Sequence, residues 1–201
     1  MTAQECLPQY QRDANTLAAW GIDAVKLDWC KFSNLPVGET AIPSNLTLAF
    51  GEALNTIGRP MFFSFHCEAS WSPWCALPGR SRAWRIYKDH WDQWDDPPNG
   101  QGGHDTATII DVLGVVANHS RPYAFSDPDL LMTGGAGCDL QVPGLRCPGM
   151  TDIEYRTEFI MWAIGAAPLV VSTDIRNMSN ATREILLHDE ILAVNQARTL
   201  Y

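Results

Sequence analysis

The sequence predicts an α/β fold assembled from parallel β/α units, and three observations carry that prediction. Short apolar runs alternate along the chain with segments of helical periodicity. Ala24, Val25 and Leu27 suit a strand buried on both faces, as does the run from Pro60 to Phe65. Acidic residues recur where such runs end: Asp28 after the first, Glu68 after the second, Asp127 and Asp129 after a third. Either a doubly wound sheet or a (β/α) barrel satisfies the alternation. A Gly-rich phosphate loop opening a helix is missing, since Gly100-Gln101-Gly102-Gly103 follows no strand and Gly134-Gly135-Ala136-Gly137 leads into loop. Its absence weakens nucleotide-binding folds.

Gln9 to Trp20 places Tyr10, Ala14, Leu17 and Ala18 at helical spacing, and Gly21 is a natural helix stop. The strand Ala24 to Leu27 follows and delivers Asp28 to its end. Lys26 and Asp28 share a strand face, and a buried Lys-Asp pair would serve either chemistry or only a turn. Asn34 to Glu39 reads as loop, Thr47 to Ile57 as a helix ended by Gly58, and Pro60 to Phe65 as a strand reaching His66-Cys67-Glu68. Turn residues dominate from Ala69 to Gly79, the aromatic stretch Trp84 to Trp91 is too short to assign, and Pro97 to Gly103 is loop. Thr106 to Ala117 is a helix, Tyr123 to Ser126 a strand, and Gly134 to Gly149 a loop. Thr151 to Gly165 is a helix with Ile153, Phe159, Ile160 and Trp162 on its apolar side. Pro168 to Ser172 is a strand, and Ser179 to Leu187 and Glu190 to Gln196 are helices.

The 201 residues, 46% hydrophobic and 18% charged, suffice for one domain with a sizeable core. A net charge of -9 argues against nucleic acid and against anionic membranes, because neither is attracted at long range. Neutral partners such as sugars are unaffected, and eight tryptophans supply flat faces suited to sugar rings as well as to a core. No apolar run is long enough for a membrane-spanning helix. The residues Cys6, Cys30, Cys67, Cys75, Cys138 and Cys147 allow fifteen full pairings, with Cys67–Cys75 and Cys138–Cys147 close in sequence. No Cys-x-x-Cys spacing exists, so disulfides are favoured over metal ligation, and His66-Cys67-Glu68 lacks the second half of a zinc deaminase motif. Paired cysteines with Asn-x-Ser/Thr sites at Asn45, Asn118, Asn177 and Asn180 point to a secretory route, although Met1 to Cys6 has no signal-peptide character.

Two carboxylates flanking a glycosidic bond can divide its cleavage, one attacking C1 while the other protonates the departing oxygen. The stretch Trp20-Gly21-Ile22-Asp23-Ala24-Val25-Lys26-Leu27-Asp28-Trp29-Cys30 resembles the nucleophile motif of glycoside hydrolase family 27, the α-galactosidases and α-N-acetylgalactosaminidases. Four further stretches resemble that family in order. Arg59 to Glu68 is similar to its strand ending in Ser-x-Cys-Glu. Trp84-Arg85-Ile86-Tyr87-Lys88-Asp89 matches Trp-Arg-x-x-x-Asp. Ser126-Asp127-Pro128-Asp129-Leu130 looks like Asn-Asp-Pro-Asp-Met, with Ser126 and Leu130 departing from it. Trp162 to Arg176 and Ala193 to Gln196 resemble its closing strand and helix.

The resemblance implies a (β/α)8 barrel of which this chain carries about the last five units, strands 4 to 8. On that expectation residues 1–201 are one partial catalytic barrel, with strands 1–3, a signal peptide and a C-terminal β-sandwich outside it. It implies Asp28 as nucleophile, Asp89 as acid/base, and substrate contacts from Lys26, Glu68, Trp71, Arg85, Asp129 and Leu130. Trp71, bulky and three places after Glu68, favours a sugar with a free 2-hydroxyl over an acetamido group. The implied activity is a retaining α-galactosidase acting on a galactoside-containing oligosaccharide or glycoconjugate, without metal or cofactor. Alternatives are α-N-acetylgalactosaminidase, β-L-arabinopyranosidase or an inactive fragment. The family also implies a secreted, lysosomal or vacuolar location, and a homodimer is one expectation for assembly.

Overall fold

The computed structural model describes residues 3–28, 44–66, 82–95, 104–122, 124–135 and 147–197. Its helices are α1 (Ala3–Ala19), α2 (Ser44–Thr56), α3 (Thr106–Val116), α4 (Asp152–Ile164), α5 (Asn180–Leu186) and α6 (Asp189–Asn195). Its strands are β1 (Ala24–Leu27), β2 (Phe62–His66), β3 (Ala83–Arg85) and β4 (Phe125–Asp127), all parallel and in the order β1-β2-β3-β4. β1 and β2 are joined through α2, and β3 and β4 through α3, which are β/α units of the expected kind.

Local chemistry sets the boundaries. α1 runs through Pro8, earlier than Gln9, because the fixed φ of proline is itself helical and its missing N–H removes one bond near the N-terminus. It ends in a Schellman motif: Ile22 N–H reaches the Leu17 carbonyl at 3.1 Å, Gly21 N–H reaches Ala18 at 3.0 Å, and Gly21 takes φ 76°, where a Cβ is disfavoured. Asp105 caps α3 by accepting from Thr108 N–H at 2.7 Å. Thr151 and Glu154 form a reciprocal capping box at the start of α4.

Three expectations need correction. Residues 168–172 do not form a strand; their pairing is a single parallel bridge between Leu131 and Val171. The unassigned aromatic stretch instead supplies β3, whose three residues are all buried. Ile153, expected on the apolar side of α4, is 76% exposed, while Glu158 of the same helix is fully buried.

The sheet has two unlike faces. On one, Val25, Leu27, Phe63, Phe65, Trp84 and Ile86 meet Ala14 of α1, Phe50 and Leu54 of α2, and Leu113 and Val116 of α3. Phe50 stands edge-on to Phe63 with ring centres 5.7 Å apart, and burial of each such side chain stabilises by about 2 kcal/mol. Because side chains alternate, the neighbouring residues point the other way. Lys26, Ser64, Ala83 and Phe125 are in register across the four strands on that second face. One step nearer the C-terminal ends stand His66, Arg85 and Asp127, also in register, with Asp28 beyond Leu27 beside His66. A second core of Ile109, Leu131, Tyr155, Phe159, Trp162 and Ile185 packs α4 and α5 against the chain after β4.

Candidate active site at the strand ends

The row Asp28, His66, Arg85, Asp127 collects charged side chains at the C-terminal ends of parallel strands, the end at which open α/β sheets and barrels hold their ligands. Arg85 is its anchor. The guanidinium is 1% exposed and places Nη2 2.8 Å from Asp89 Oδ1 and 2.7 Å from Asp129 Oδ2. A buried cation is tolerated when anions surround it, and here two carboxylates do.

The turn after β4 fixes Asp129. Asp127 Oδ1 accepts Asp129 N–H at 2.9 Å, an Asx-type closure, and Asp129 takes φ 85°. That left-handed conformation is unfavourable by about 1–3 kcal/mol for a residue with a side chain. Three further contacts hold it there. Asp129 Oδ2 accepts His90 N–H at 2.9 Å, its carbonyl accepts the Trp162 indole N–H at 2.9 Å, and Arg85 grips the same carboxylate. Asp129 is therefore built into the wall, with 14% of its side chain exposed.

Asp89 stands in front of that wall and is 72% exposed. Its partial burial pushes the carboxyl upward, but the Arg85 hydrogen bond and charge, with the charges of His66 and His104, outweigh this and hold it below the usual carboxylate range. Burial pushes Asp127 the other way, above the usual range, against the Asp129 N–H and the Arg85 charge. Asp127 is committed to its turn, so a raised proton affinity alone does not make it the group facing a ligand.

Behind the wall lies a buried polar layer. His90 Nδ1 is 2.9 Å from the Leu130 carbonyl, which can only accept, so that nitrogen carries the proton. Nε2 lies 2.8 Å from the Thr106 hydroxyl, and burial lowers the ring to about 4, leaving it neutral near pH 7. Glu158 accepts Met132 N–H and the Thr133 hydroxyl, each at 2.6 Å, and burial pushes its carboxyl up to about 8. Asp92 accepts from Tyr155 Oη at 2.7 Å and from Gly149 N–H at 2.9 Å.

The structure thus brings Asp28, Lys26, Arg85, Asp89, Asp129 and Leu130 to one end of the sheet. Lys26 Nζ is 4.0 Å from Asp28 Oδ2, but the side chains are 45% and 63% exposed, so they do not form the buried pair expected of a strand covered on both faces. Among the described residues β1 pairs only with β2, which leaves its other side open. Leu130 contributes its backbone to the His90 contact and is 39% exposed. Glu68, Trp71, Cys30, Cys67, Cys75 and Cys138 lie outside the described residues, and the side chain of Cys6 does too. Cys147 is disulfide-bonded, and the expected pairing with Cys138 falls outside what is described. His66, not among the expected site residues, places Nδ1 3.6 Å from Asp28 Oδ1; its signal in the sequence is a position two residues after Ser64 on the same strand face. Among the described residues no group of three or more His, Cys, Asp or Glu is placed to hold a metal ion, and no helix is long and apolar enough to cross a membrane.

Comparison with known proteins agrees with this geometry. The sequence profile of the family described as Alpha galactosidase A, the melibiases, matches residues 3–197. An alpha-galactosidase of Cyamopsis tetragonoloba is 35% identical over 189 residues, covering 92% of this chain and 39% of that protein. Alpha-galactosidase A of Cellvibrio japonicus is 33% identical over 193 residues, covering 94% and 42%. The crystal structure of alpha-galactosidase I from Mortierella vinacea superposes with a TM-score of 0.75 at 30% identity, over 94% of this chain and 47% of that one. The chain belongs to the melibiase family of glycoside hydrolases, glycoside hydrolase family 27. It spans about two fifths of the length of the curated relatives it matches. The parallel α/β architecture corresponds to part of their barrel.

Proposed function

We propose that this chain carries the two carboxylates of a retaining α-galactosidase. The observation that supports the reading best is the strand-end row itself: Asp28 at one end, and Asp89 held over the other by a buried Arg85. In the first step Asp28 attacks C1 of a terminal α-galactosyl unit and the bond from C1 to the leaving oxygen breaks. Asp89 gives that oxygen its proton. In the second step Asp89 takes a proton from water, whose oxygen attacks C1 and frees Asp28. Lys26 Nζ and His66 Nδ1 stand 4.0 and 3.6 Å from the two oxygens of the Asp28 carboxylate.

Asp89 must hold a proton in the first step, yet Arg85 keeps it ionised in the open site. A bound sugar that displaces water raises its proton affinity, so kcat extends to higher pH than kcat/KM on the alkaline side. The substrate is a galactoside with a free 2-hydroxyl, on the expectation for Trp71, and no cofactor takes part. A secretory, lysosomal or vacuolar location is supported by the exposed acceptor residues Asn118, Asn177 and Asn180.

Hydrolysis of aryl α-galactosides by the purified protein, with Asp28→Asn and Asp89→Asn beside it, tests the proposal. Both variants lose at least about a hundredfold in kcat on a poor leaving group. Turnover of aryl α-N-acetylgalactosaminides or β-L-arabinopyranosides in preference would move the substrate assignment. Unchanged rates in both variants would sink the two-carboxylate reading.

A further inference from the structure

His66 is a member of the strand-end row to which the reaction above assigns no step. Its side chain is 8% exposed, although Asp28 beside it is 63% exposed. Strand alternation turns Phe63 and Phe65 into the apolar core and leaves Ser64 and His66 on the polar face. Register then places His66 between two charged neighbours: Asp28, at the end of β1, and Arg85, its partner on β3. Among the described residues, the charged groups at this end of the sheet beside His66 include Lys26 of β1, Asp28 just beyond it, Arg85 of β3 and Asp89 in the segment after β3.

His66 Nδ1 lies 3.6 Å from Asp28 Oδ1. The other carboxylate oxygen faces Lys26 Nζ at 4.0 Å. One oxygen is thus approached by a ring fixed in the sheet and the other by a flexible, half-exposed chain, and of these two the fixed ring is the better able to set the plane of the carboxylate. A nucleophile misaimed by about 1 Å can lose about a hundredfold in rate, so a buried ring that aims it matters more than its distance from the sugar suggests.

We infer that His66 is a positioning residue for Asp28, its Nδ1–H directing one carboxylate oxygen so that the carboxylate faces C1; the inference rests on the proposed retaining reaction. His66 acts through Asp28 and exchanges no proton with the sugar or the leaving group. The same arrangement separates its role from that of Asp89. Loss of an acid is felt most with a poor leaving group, which needs a proton, and least with an activated one. Loss of aim on the nucleophile slows attack with both.

The test is kcat and KM of the wild type and of His66→Ala and His66→Asn on two aryl α-galactosides, one with a good and one with a poor leaving group. The ring titration of His66 is followed by NMR in the wild type and in Asp28→Asn. His66→Ala lowers kcat about tenfold on both substrates with KM within about twofold, and His66→Asn, which keeps an N–H donor, recovers part of the loss. A loss confined to the poor leaving group, or no loss, overturns the inference. Independently of any turnover, removing the Asp28 charge lowers the titration midpoint of the ring by about half a unit or more. An unmoved midpoint overturns the contact itself. A wild type that cleaves neither substrate while the midpoint moves defeats the proposed activity and leaves the ring–carboxylate contact standing.

Discussion

The two ends of the strand-end row hold their carboxylates in different ways. Asp129 is 14% exposed and fixed by Arg85 at 2.7 Å, His90 N–H at 2.9 Å and, through its carbonyl, Trp162 at 2.9 Å. Asp28 is 63% exposed, with His66 Nδ1 at 3.6 Å and Lys26 Nζ at 4.0 Å. One carboxylate is part of the wall and the other is presented to whatever enters. Strain at φ 85° marks the wall residue, because a strained conformation persists only where surrounding contacts over-determine it. The difference teaches that the wall and the groups it presents are separable: substitutions at the buried Arg85 and Asp129 should destabilise the fold, and those at the exposed Asp28 should leave it folded and slow.

The largest effect is expected at Arg85. Arg85→Ala leaves Asp129 and Asp89 facing each other without the buried cation and lowers the free energy of unfolding by about 3–5 kcal/mol in urea titrations. A loss under about 1 kcal/mol would erase the contrast between the two ends. Asp129→Ala follows, at about 2–3 kcal/mol, since it leaves the buried Arg85 and the His90 N–H short of an acceptor. Asp129→Gly should be less harmful by about 1 kcal/mol, because glycine accepts φ 85° freely. Equal losses in the two variants would mean that strain is not stored there.

A pH titration sharpens the comparison at the layer behind the wall. Glu158, raised to about 8 in the fold from an ordinary 4.5, holds its proton more tightly folded than unfolded. Its contribution is full below about 4.5 and fades as pH rises towards about 8, at no more than about 1.4 kcal/mol per pH unit. His90 has the opposite sign: lowered from 6.5 to about 4, it contributes above 6.5 and loses that contribution as pH falls towards 4. Thermal melts should therefore show Glu158→Gln losing less stability than the wild type between pH 5 and pH 8. Parallel curves would remove Glu158 from the account. Smallest of all, Lys26→Ala changes stability by less than about 0.5 kcal/mol, as expected for a half-exposed pair 4.0 Å apart.

How much of this was legible in the sequence follows from how local each signal is. The β1 and β2 runs and the helix starting near Thr151 are written in neighbouring residues, and the structure has elements at Ala24–Leu27, Phe62–His66 and Asp152–Ile164. Arg85 and Asp89, four apart in one motif, meet at 2.8 Å. β3 carries no local signal because three residues are too few to show a period of two, and it is buried by the strands on either side. Residues 168–172 have the composition of a strand but find one bridge, because composition does not supply a partner. Glu158 reads as a solvent-facing acid on a helix; it is buried because Met132 and Thr133, more than twenty residues earlier, bring their donors to it. His66 and Asp28 are adjacent only through the pairing of β1 with β2, which no local pattern records.

The most direct test of the account is to trap the first step and find where the sugar is attached. The purified protein is incubated with an activated fluorosugar of the α-galactosyl series, which forms the glycosyl-enzyme but breaks it down slowly, and its peptides are mapped by mass spectrometry. The account predicts a single adduct on Asp28, formed in the wild type and absent in Asp28→Asn. An adduct on Asp89, Asp127 or Asp129, or one that persists in Asp28→Asn, would contradict it.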